Sequence, residues 1–328
     1  MKYLTRTVIA AGFAALVAAP ASAETLRFGG NFAADHSSSI AMQKFKKAVE
    51  AKSDGALTID LFPDMQLGGA QENVDQTRSG AIFGTWIGAA YLSRTVPELE
   101  AISMPFTYPD RATAFRVIDG DVGTIVDEKL ADKGFKVLGW MELGPRNITN
   151  NVRPIETVDD LKGLKIRLQP NQTHLDSFRA IGASPISMGI SEVYSALQQG
   201  VLDGEENPYS IIKTRRFDEV QKYLSDSNHV FDFISIVANK KAFDKLDPKD
   251  QSILTDAMAD AVAFQRAEAA KEDDAAKAAL IAAGMVFTPI PDDVRAKLRQ
   301  LTAPVIEGLK KRIDPALIEK VQSEVTAK

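Results

Sequence analysis

Short apolar runs alternate along the chain with segments in which apolar residues recur at helical spacing. Apolar runs bounded by glycine or proline predict buried strands, and a 3.6-residue period predicts amphipathic helices. The sequence predicts strands at Thr25–Gly29, Leu57–Phe62, Ile82–Ile87, Phe135–Met141, Lys165–Leu168 and Ile234–Ala238. It predicts helices at Ser38–Lys52, at Ala70–Ser79 and from Pro248 to about Ala283. This alternation is typical of an α/β fold.

The last of these helices bears on the architecture of the whole chain. At 1.5 Å per residue it would extend roughly 50 Å, which exceeds what one lobe needs. With 45% hydrophobic and 7% aromatic residues the chain can form an ordinary aliphatic core. Its length is sufficient for two lobes, and no repeat or low-complexity linker divides it.

The first 23 residues have the pattern of a cleaved secretory signal peptide. Lys2 and Arg6 supply positive charge, Val8–Ala19 is apolar, and Ala21–Ala23 is a small-residue cleavage site. The alternative is a membrane anchor, but the apolar segment is shorter than the ~20 residues that a span needs. We therefore expect export to the periplasm with Glu24 as the first mature residue, and no later stretch is apolar enough to predict a membrane span.

Charge and cysteine usage exclude several functional classes. Without the signal peptide, 37 basic and 44 acidic residues remain, a net charge of −7, which argues against nucleic acid as a partner. The sequence has no cysteine, so disulfides, thiol nucleophiles and cysteine metal sites are excluded. It has no phosphate-binding loop, dinucleotide fingerprint or serine-hydrolase elbow, and no cofactor is predicted.

Metal binding is also not predicted. The three histidines are widely separated without zinc-site spacing, and we expect them at the surface or at its boundary: His36, His174 and His229. An acidic cluster could hold calcium, but it lacks an EF-hand pattern and is better explained as a solvated turn: Asp203, Glu205 and Glu206.

The most informative segment is Ile181–Pro208. It contains SEVYSALQQG, in which Ser191 is a candidate helix N-cap and Gly200 ends the helix. It closes with DGEENP, where proline restricts Asn207 to extended backbone angles. The amide of Asn207 can both donate and accept hydrogen bonds, which suits contact with a ligand.

This segment resembles the solute-binding proteins of tripartite ATP-independent periplasmic (TRAP) transporters, the DctP-like family. Members of that family carry a closely similar run, S-E-V-Y-x-A-L-Q-x-G-x-x-D-G-x-E-N-P. Further family-like runs occur in the expected order along nearly the whole mature chain: FPDMQLGG from Phe62, MPF from Met104, GPRNITNN from Gly144, DDLKGLKIR from Asp159 and FDEVQKYLSDSNH from Phe217.

The resemblance implies a two-lobed periplasmic binding protein with a long helix across both lobes and several crossings of the chain. It places the first lobe at residues 24–143 plus 233–270 and the second at 144–232 plus 271–328. It also implies two membrane partners, a small and a large integral TRAP subunit. We expect a monomer, and a dimer is the alternative because some relatives pair through C-terminal helices.

Arg167 is the central candidate for ligand binding. It lies at the end of the predicted strand KIRL, where a side chain can point into a crevice beside the sheet. Its guanidinium can hold both oxygens of a carboxylate, which an ammonium cannot do. The alternative is a surface ion pair. In the resembled family this arginine binds the carboxylate of the substrate.

Other candidates surround the proposed crevice. Arg146 is a second cation at the crossing between lobes, or alternatively a hinge ion pair. Asn207 would donate or accept hydrogen bonds, and its alternative is turn capping. Candidates from the remaining walls follow predicted strands or lie at the second crossing: Asn31, Trp86, Tyr91, Phe231 and Asp232. The two aromatic residues of WIGAAY, Trp86 and Tyr91, are equally well explained as core residues.

Ligand identity stays open within the class of organic acids. Sialic-acid-binding relatives have an acidic residue where this sequence has Gly88, so a smaller acid is favoured. A sugar acid such as a uronate or aldonate suits a polar pocket with two arginines, and a four-carbon dicarboxylate or an oxo acid is the alternative. A periplasmic enzyme would need a base or nucleophile in the pocket, and none is evident; a sensor subunit could use the same fold.

Overall fold

The computed structural model describes residues 23–327, so the predicted signal peptide lies almost entirely outside the described residues. One mixed sheet has the strand order β2-β1-β3-β8-β4-β7-β5-β6, with β9 paired to β8. The strands are β1 (Glu24–Gly30), β2 (Leu57–Phe62), β3 (Gly84–Gly88), β4 (Phe135–Asn150), β5 (Lys165–Leu168), β6 (Ser184–Ser187), β7 (Gly204–Asn207), β8 (Tyr223–Asn239) and β9 (Val286–Pro289).

Eleven α-helices accompany this sheet within the described part of the chain. They are α1 (Ser37–Lys52), α2 (Ala70–Ser79), α3 (Arg111–Ile118), α4 (Asp121–Asp132), α5 (Gln172–Ala180), α6 (Ile190–Gln198), α7 (Tyr209–Thr214), α8 (Lys240–Phe243), α9 (Pro248–Ala282), α10 (Asp292–Leu309) and α11 (Pro315–Thr326). Within residues 23–327, none of the helices combines the length and the apolar character that crossing a membrane requires.

Helix boundaries follow local capping chemistry. His36 accepts a hydrogen bond from the N–H of Ser38 and so caps α1, and Asp110 caps α3 in the same way. Gly80 ends α2 in the left-handed conformation at φ 83°. The predicted cap at Ser191 is wrong: α6 begins at Ile190, and Gly189 occupies the cap position in extended conformation.

Two long strands join the lobes. β8 pairs with β3 through residues 234–238 and with β9 through residues 223–226, while β4 pairs with β7 only through residues 147–150. We call β1, β2, β3 and the paired ends of β4 and β8 the first lobe, and β5, β6, β7, β9 and the opposite ends of β4 and β8 the second. The β4–β8 register is irregular at residues 142–144 and 146–148, between the two lobes, and this is the hinge region.

Each lobe has its own buried core. In the first lobe Phe28, Phe45 and Trp86 pack together, and in the second Ile148, Ile166 and Phe178 do so. The C-terminal helix α11 packs against α3 and α4 of the first lobe through buried side chains: Leu317, Ile318 and Val321. This differs from the predicted division, which places residues 271–328 entirely in the second lobe, because the last helix returns to cover the apolar face of the first.

Helix α9 spans both lobes. Its N-terminal half packs against α1 and β4, and its C-terminal half against α7. Gln265 donates to the backbone carbonyl of Glu142 and accepts from the N–H of the same residue, so it is fixed at the hinge. Farther along, Asp273 accepts from the N–H of Ser210 in α7 at 3.2 Å. The helix therefore holds the hinge strand and the second lobe by separate hydrogen bonds.

Candidate ligand-binding site

A cavity with both polar and apolar lining residues lies between the two lobes at the hinge. It has about 320 Å³ of space not occupied by atoms, part of it open to solvent. Both lobes and the hinge contribute to its lining, which consists of Asn31, Phe32, Gly88, Tyr91, Leu143, Arg167, Gln169, Ile190, Asn207, Ile211 and Arg215. Four of the eight predicted site residues line this cavity: Asn31, Tyr91, Arg167 and Asn207.

Arg167 is the fixed cation of the cavity. β5 carries it beside β7, and its side chain is fully buried. Nε and Nη2 donate to the carbonyl of Met188 at 2.9 and 2.7 Å, and Nη2 also donates to the hydroxyl of Tyr91 at 3.0 Å. Nη1 has no hydrogen-bond partner among residues 23–327. The guanidinium is thus held in one orientation with donor capacity left over.

Two amide oxygens on the cavity also lack partners among the described residues: Oδ1 of Asn31 and Oε1 of Gln169. Gln169 is fixed from its other end, since its Nε2 donates to Oδ2 of Asp232 at 3.1 Å. A Cβ added at Gly88 would lie 3.1 Å from the Gln169 Oε1, so the glycine avoids crowding that oxygen. Because buried polar groups are normally hydrogen-bonded, the cavity is complementary to a ligand that accepts at one point and donates at two others.

Asn207 is held rigidly at the end of β7. Its Nδ2 donates to Oε2 of Glu205, and its Oδ1 accepts from Nη2 of Arg146 at 3.0 Å. Both ends of the amide are therefore oriented by charged neighbours, and the side chain presents a fixed polar edge to the cavity.

Arg146 does not line the cavity. Its guanidinium is fully buried and hydrogen-bonded to both carboxylate oxygens of Glu206, with Oδ2 of Asp232 at 3.5 Å from Nη1. On the far side, Nε2 of His229 lies 3.0 Å from the Glu206 carboxylate. Although burial opposes ionisation, Arg146 and His229 lower the pKa of Glu206 below its usual range. This arrangement is the hinge ion pair that was the alternative for Arg146.

The three remaining predicted residues lie behind the cavity wall. Trp86 is fully buried in the core of the first lobe and is not a lining residue. Phe231 packs edge-on against Tyr108, Phe115 and Phe233. Asp232 accepts from Gln169, so it contacts the cavity only through that side chain.

The expectations for the acidic cluster and the histidines are wrong in part. Gly204–Asn207 is a fully buried strand rather than a solvated turn, because Thr149, Asn207 and Arg146 provide partners for its two carboxylates. All three histidines are buried, and each forms a side-chain hydrogen bond that compensates for its burial: to Ser38 for His36, to Ser103 for His174 and to Ser227 for His229.

Sequence reasoning missed two polar lining residues. Gln169 lies two positions after Arg167, and the alternation of side chains along an extended chain is a signal that could have found it. Arg215 belongs to the charged run KTRR, which carries no signal that separates it from the exposed Arg216. The apolar lining residues are buried like residues of the core, so the sequence does not mark them as lining a cavity: Phe32, Leu143, Ile190 and Ile211.

Comparison with known proteins gives a consistent result. Residues 28–312 match the family model DctP, described as bacterial extracellular solute-binding protein, family 7. The chain is 35% identical over 266 residues to the 2,3-diketo-L-gulonate-binding periplasmic protein YiaO of Escherichia coli, covering 81% of each chain.

Two solved structures are also similar. The sugar acid binding protein DctPAm of Advenella mimigardefordensis, in complex with galactonate, is 33% identical with a TM-score of 0.90, covering 92% of this chain and 98% of that one. A TRAP periplasmic solute binding protein of Roseobacter denitrificans with bound β-D-glucuronate is 29% identical with a TM-score of 0.88, covering 92% and 99%. The two-lobed fold and the resemblance seen in the sequence are both confirmed. This chain belongs to the DctP family, the family 7 bacterial extracellular solute-binding proteins that serve TRAP transporters.

Proposed function

We propose that this protein binds a sugar acid, an aldonate or a uronate, in the cavity between its lobes. One observation carries the proposal: an unpartnered donor on Arg167 and unpartnered acceptors on Asn31 and Gln169 border the same cavity. A carboxylate would satisfy the guanidinium, and hydroxyl groups would satisfy the two amide oxygens.

Five of the lining residues then have a role in ligand binding. Arg167 binds the carboxylate, with Tyr91 and Met188 fixing its orientation. Asn207 adds a hydrogen bond from the second lobe, and Asn31 with Gln169 accepts from ligand hydroxyls. Two buried residues outside the lining hold these groups in place: Arg146 orients Asn207, and Asp232 orients Gln169. Closure of the lobes around the ligand would exclude water and so strengthen the charge-assisted bonds.

The similar proteins support a sugar acid, since the names of three specify galactonate, β-D-glucuronate and 2,3-diketo-L-gulonate, while one relative is named for C4-dicarboxylates. A four-carbon dicarboxylate or an oxo acid has fewer hydroxyl donors for the oxygens of Asn31 and Gln169. A catalytic role predicts a product, so incubation with the bound acid followed by mass spectrometry tests it. A sensor role predicts capture of a receptor instead of transporter subunits.

We also propose the setting in which the protein works. The signal-peptide pattern of residues 1–23 and the family match support a periplasmic location. The loaded, closed form would be recognised by a small and a large integral TRAP subunit, and the solute-binding protein itself would act as a monomer without a cofactor.

A thermal-shift screen over organic acids is expected to identify the ligand. An acid at a hundred times its dissociation constant stabilises the native state by about 2.7 kcal/mol, which raises the melting temperature of a chain of this size by about 4 °C. Galactonate, glucuronate and gulonate should give shifts of this size, whereas succinate and malate at equal concentration should not. Shifts from the dicarboxylates alone would overturn the sugar-acid assignment.

Binding is expected to strengthen as the pH falls from 8 to 6. Burial raises the pKa of Glu205 to about 7, because Thr149, Asn207 and Arg167 compensate only partly for lost hydration. Above this pKa the carboxylate opposes the field of Arg167, and below it the opposition is removed, so an anionic ligand favours the protonated form and binding takes up protons near pH 7. Calorimetric titrations in two buffers of different ionisation enthalpy measure this uptake. Glu205→Gln should abolish this proton uptake. If binding to that variant depends on pH as it does in wild type, Glu205 is not the group that takes up the proton.

A further inference from the structure

Arg215 connects the two lobes at the edge of the cavity. It follows α7 of the second lobe and lines the cavity. Its Nη1 donates to Oδ1 of Asp64 at 2.7 Å, and its Nη2 donates to the backbone carbonyl of Asn31. Both acceptors belong to the first lobe. The Arg215 side chain is 15% exposed and that of Asp64 51% exposed, so the contact is partly shielded from water.

The segment that carries Asp64 is a strained turn attached to the cavity wall. Asp64 and Met65 have φ angles of 53° and 60°, a region that residues other than glycine seldom adopt. Their N–H groups donate to the carbonyls of Phe32 and Gly30, each at 2.8 Å. The turn is therefore fixed to the two residues that flank Asn31 in the chain.

Met65 makes a second contact between the lobes. Its side chain packs against an apolar cluster of the second lobe that includes Ile190, Val193 and Tyr209. Ile190 also lines the cavity. The turn thus meets the second lobe by an ion pair and by an apolar contact, and both lie beside the space that a ligand would fill.

We propose that Arg215 is a positioning residue for ligand binding: it holds Asn31 in place from the second lobe and locks the lobes in the closed state. This inference rests on the proposed function for its ligand. A bound acid that contacts Asn31 and Arg167 would reinforce the same closure, so breaking the Arg215 contacts would speed release. If the contact were only a surface ion pair, its loss would change neither release nor closure.

Kinetic measurements with galactonate test whether Arg215 slows release of the ligand. Arg215→Gln is expected to speed galactonate release about tenfold with little change in association, the scale of one lost charged hydrogen bond. Asp64→Asn should have a smaller effect, because the bond to the Asn31 carbonyl survives. The double variant should match Arg215→Gln alone, since loss of the guanidinium already removes the bond to Asp64. The matched control is Arg216→Gln, which removes the same charge from an exposed neighbour that pairs, among residues 23–327, only with Glu219.

Distances between spin labels test closure without depending on the ligand. The chain has no cysteine, so Gln43→Cys in α1 and Ser195→Cys in α6, both exposed, give one label in each lobe. In ligand-free protein, Arg215→Gln should shift the distance distribution toward longer separations, while Arg216→Gln should leave it unchanged. If wild type binds neither galactonate nor another aldonate or uronate, the proposed ligand class is wrong. The distance distribution of the ligand-free protein still tests whether Arg215 holds the lobes closed. Distributions and release rates that are the same for the two glutamine variants would overturn it.

Discussion

Replacing Arg167 with alanine is expected to weaken galactonate binding by about two orders of magnitude. Loss of a charged hydrogen-bonding group corresponds to roughly 2–3 kcal/mol. Because the guanidinium is fully buried and already held by Met188 and Tyr91, its remaining donor is oriented before the ligand arrives. Arg167→Lys should also bind poorly, since an ammonium cannot keep those bonds and at the same time present a fixed donor to the carboxylate.

Titration calorimetry at constant salt concentration measures the dissociation constant of galactonate for both Arg167 variants. Arg179→Ala is the matched control, because Arg179 is exposed on α5 and, within the described part of the chain, pairs only with Asp176. Circular dichroism should show the same secondary structure in all three proteins. Tight galactonate binding by both Arg167 variants would contradict the role given to this residue.

Removal of the Glu206 carboxylate is expected to destabilise the protein by about 3–5 kcal/mol, the cost of leaving a buried charge without its partner. In Glu206→Ala, Arg146 would keep its bond to the backbone carbonyl of residue 206, the longer contact to Asp232 and its bond to Asn207, but it would lose the close carboxylate. Urea unfolding measures the change in the free energy of unfolding. The variant should also bind acids weakly, because Arg146 loses the carboxylate that fixes its guanidinium against the Asn207 amide.

Two comparisons separate this effect from a general loss of packing. The double variant Arg146→Met/Glu206→Leu should recover part of the stability, since the close ion pair is removed together and only the longer contact of Asp232 is lost. Glu219→Ala, which removes an exposed carboxylate, should leave the unfolding midpoint nearly unchanged. A double variant as unstable as Glu206→Ala would show that packing and not charge is decisive.

Helices and strands in which apolar residues recur with a single period were predictable from sequence. β2, β5 and α2 have the predicted boundaries, and α1 and α9 differ from prediction by a single residue at one end. In these segments burial on one face or along a short run agrees with local propensity, and no tertiary contact overrides it.

The hinge strands were predicted only in part. β4 continues nine residues beyond Met141, through Gly144, Pro145 and a polar stretch that looks like a loop. It is a strand because β8 and β7 supply its backbone partners and Glu205 bonds Thr149. β7 was missed for the same reason: its two glutamates are buried only because partners distant in sequence satisfy them. Period and propensity carry no information about such partners.

The residues of the candidate site were also predicted only in part. Arg167, Asn207, Asn31 and Tyr91 were found from strand ends and from family resemblance, and they line the cavity. Arg146 carries an equally suggestive pattern, yet its charge is balanced within the protein by Glu206 and Asp232. Which arginine faces a ligand depends on where carboxylates from other segments lie, and the sequence around each arginine does not contain that information.

The order of the strands has a consequence for biosynthesis. β3 and β4 both depend on β8 as their neighbour, and β8 is synthesised after β5, β6 and β7. An N-terminal fragment ending before Tyr223 would expose two unpaired strand edges together with half of an apolar core. Neither lobe can therefore mature as an independent unit, and the nascent chain needs protection from aggregation until most of its length is available.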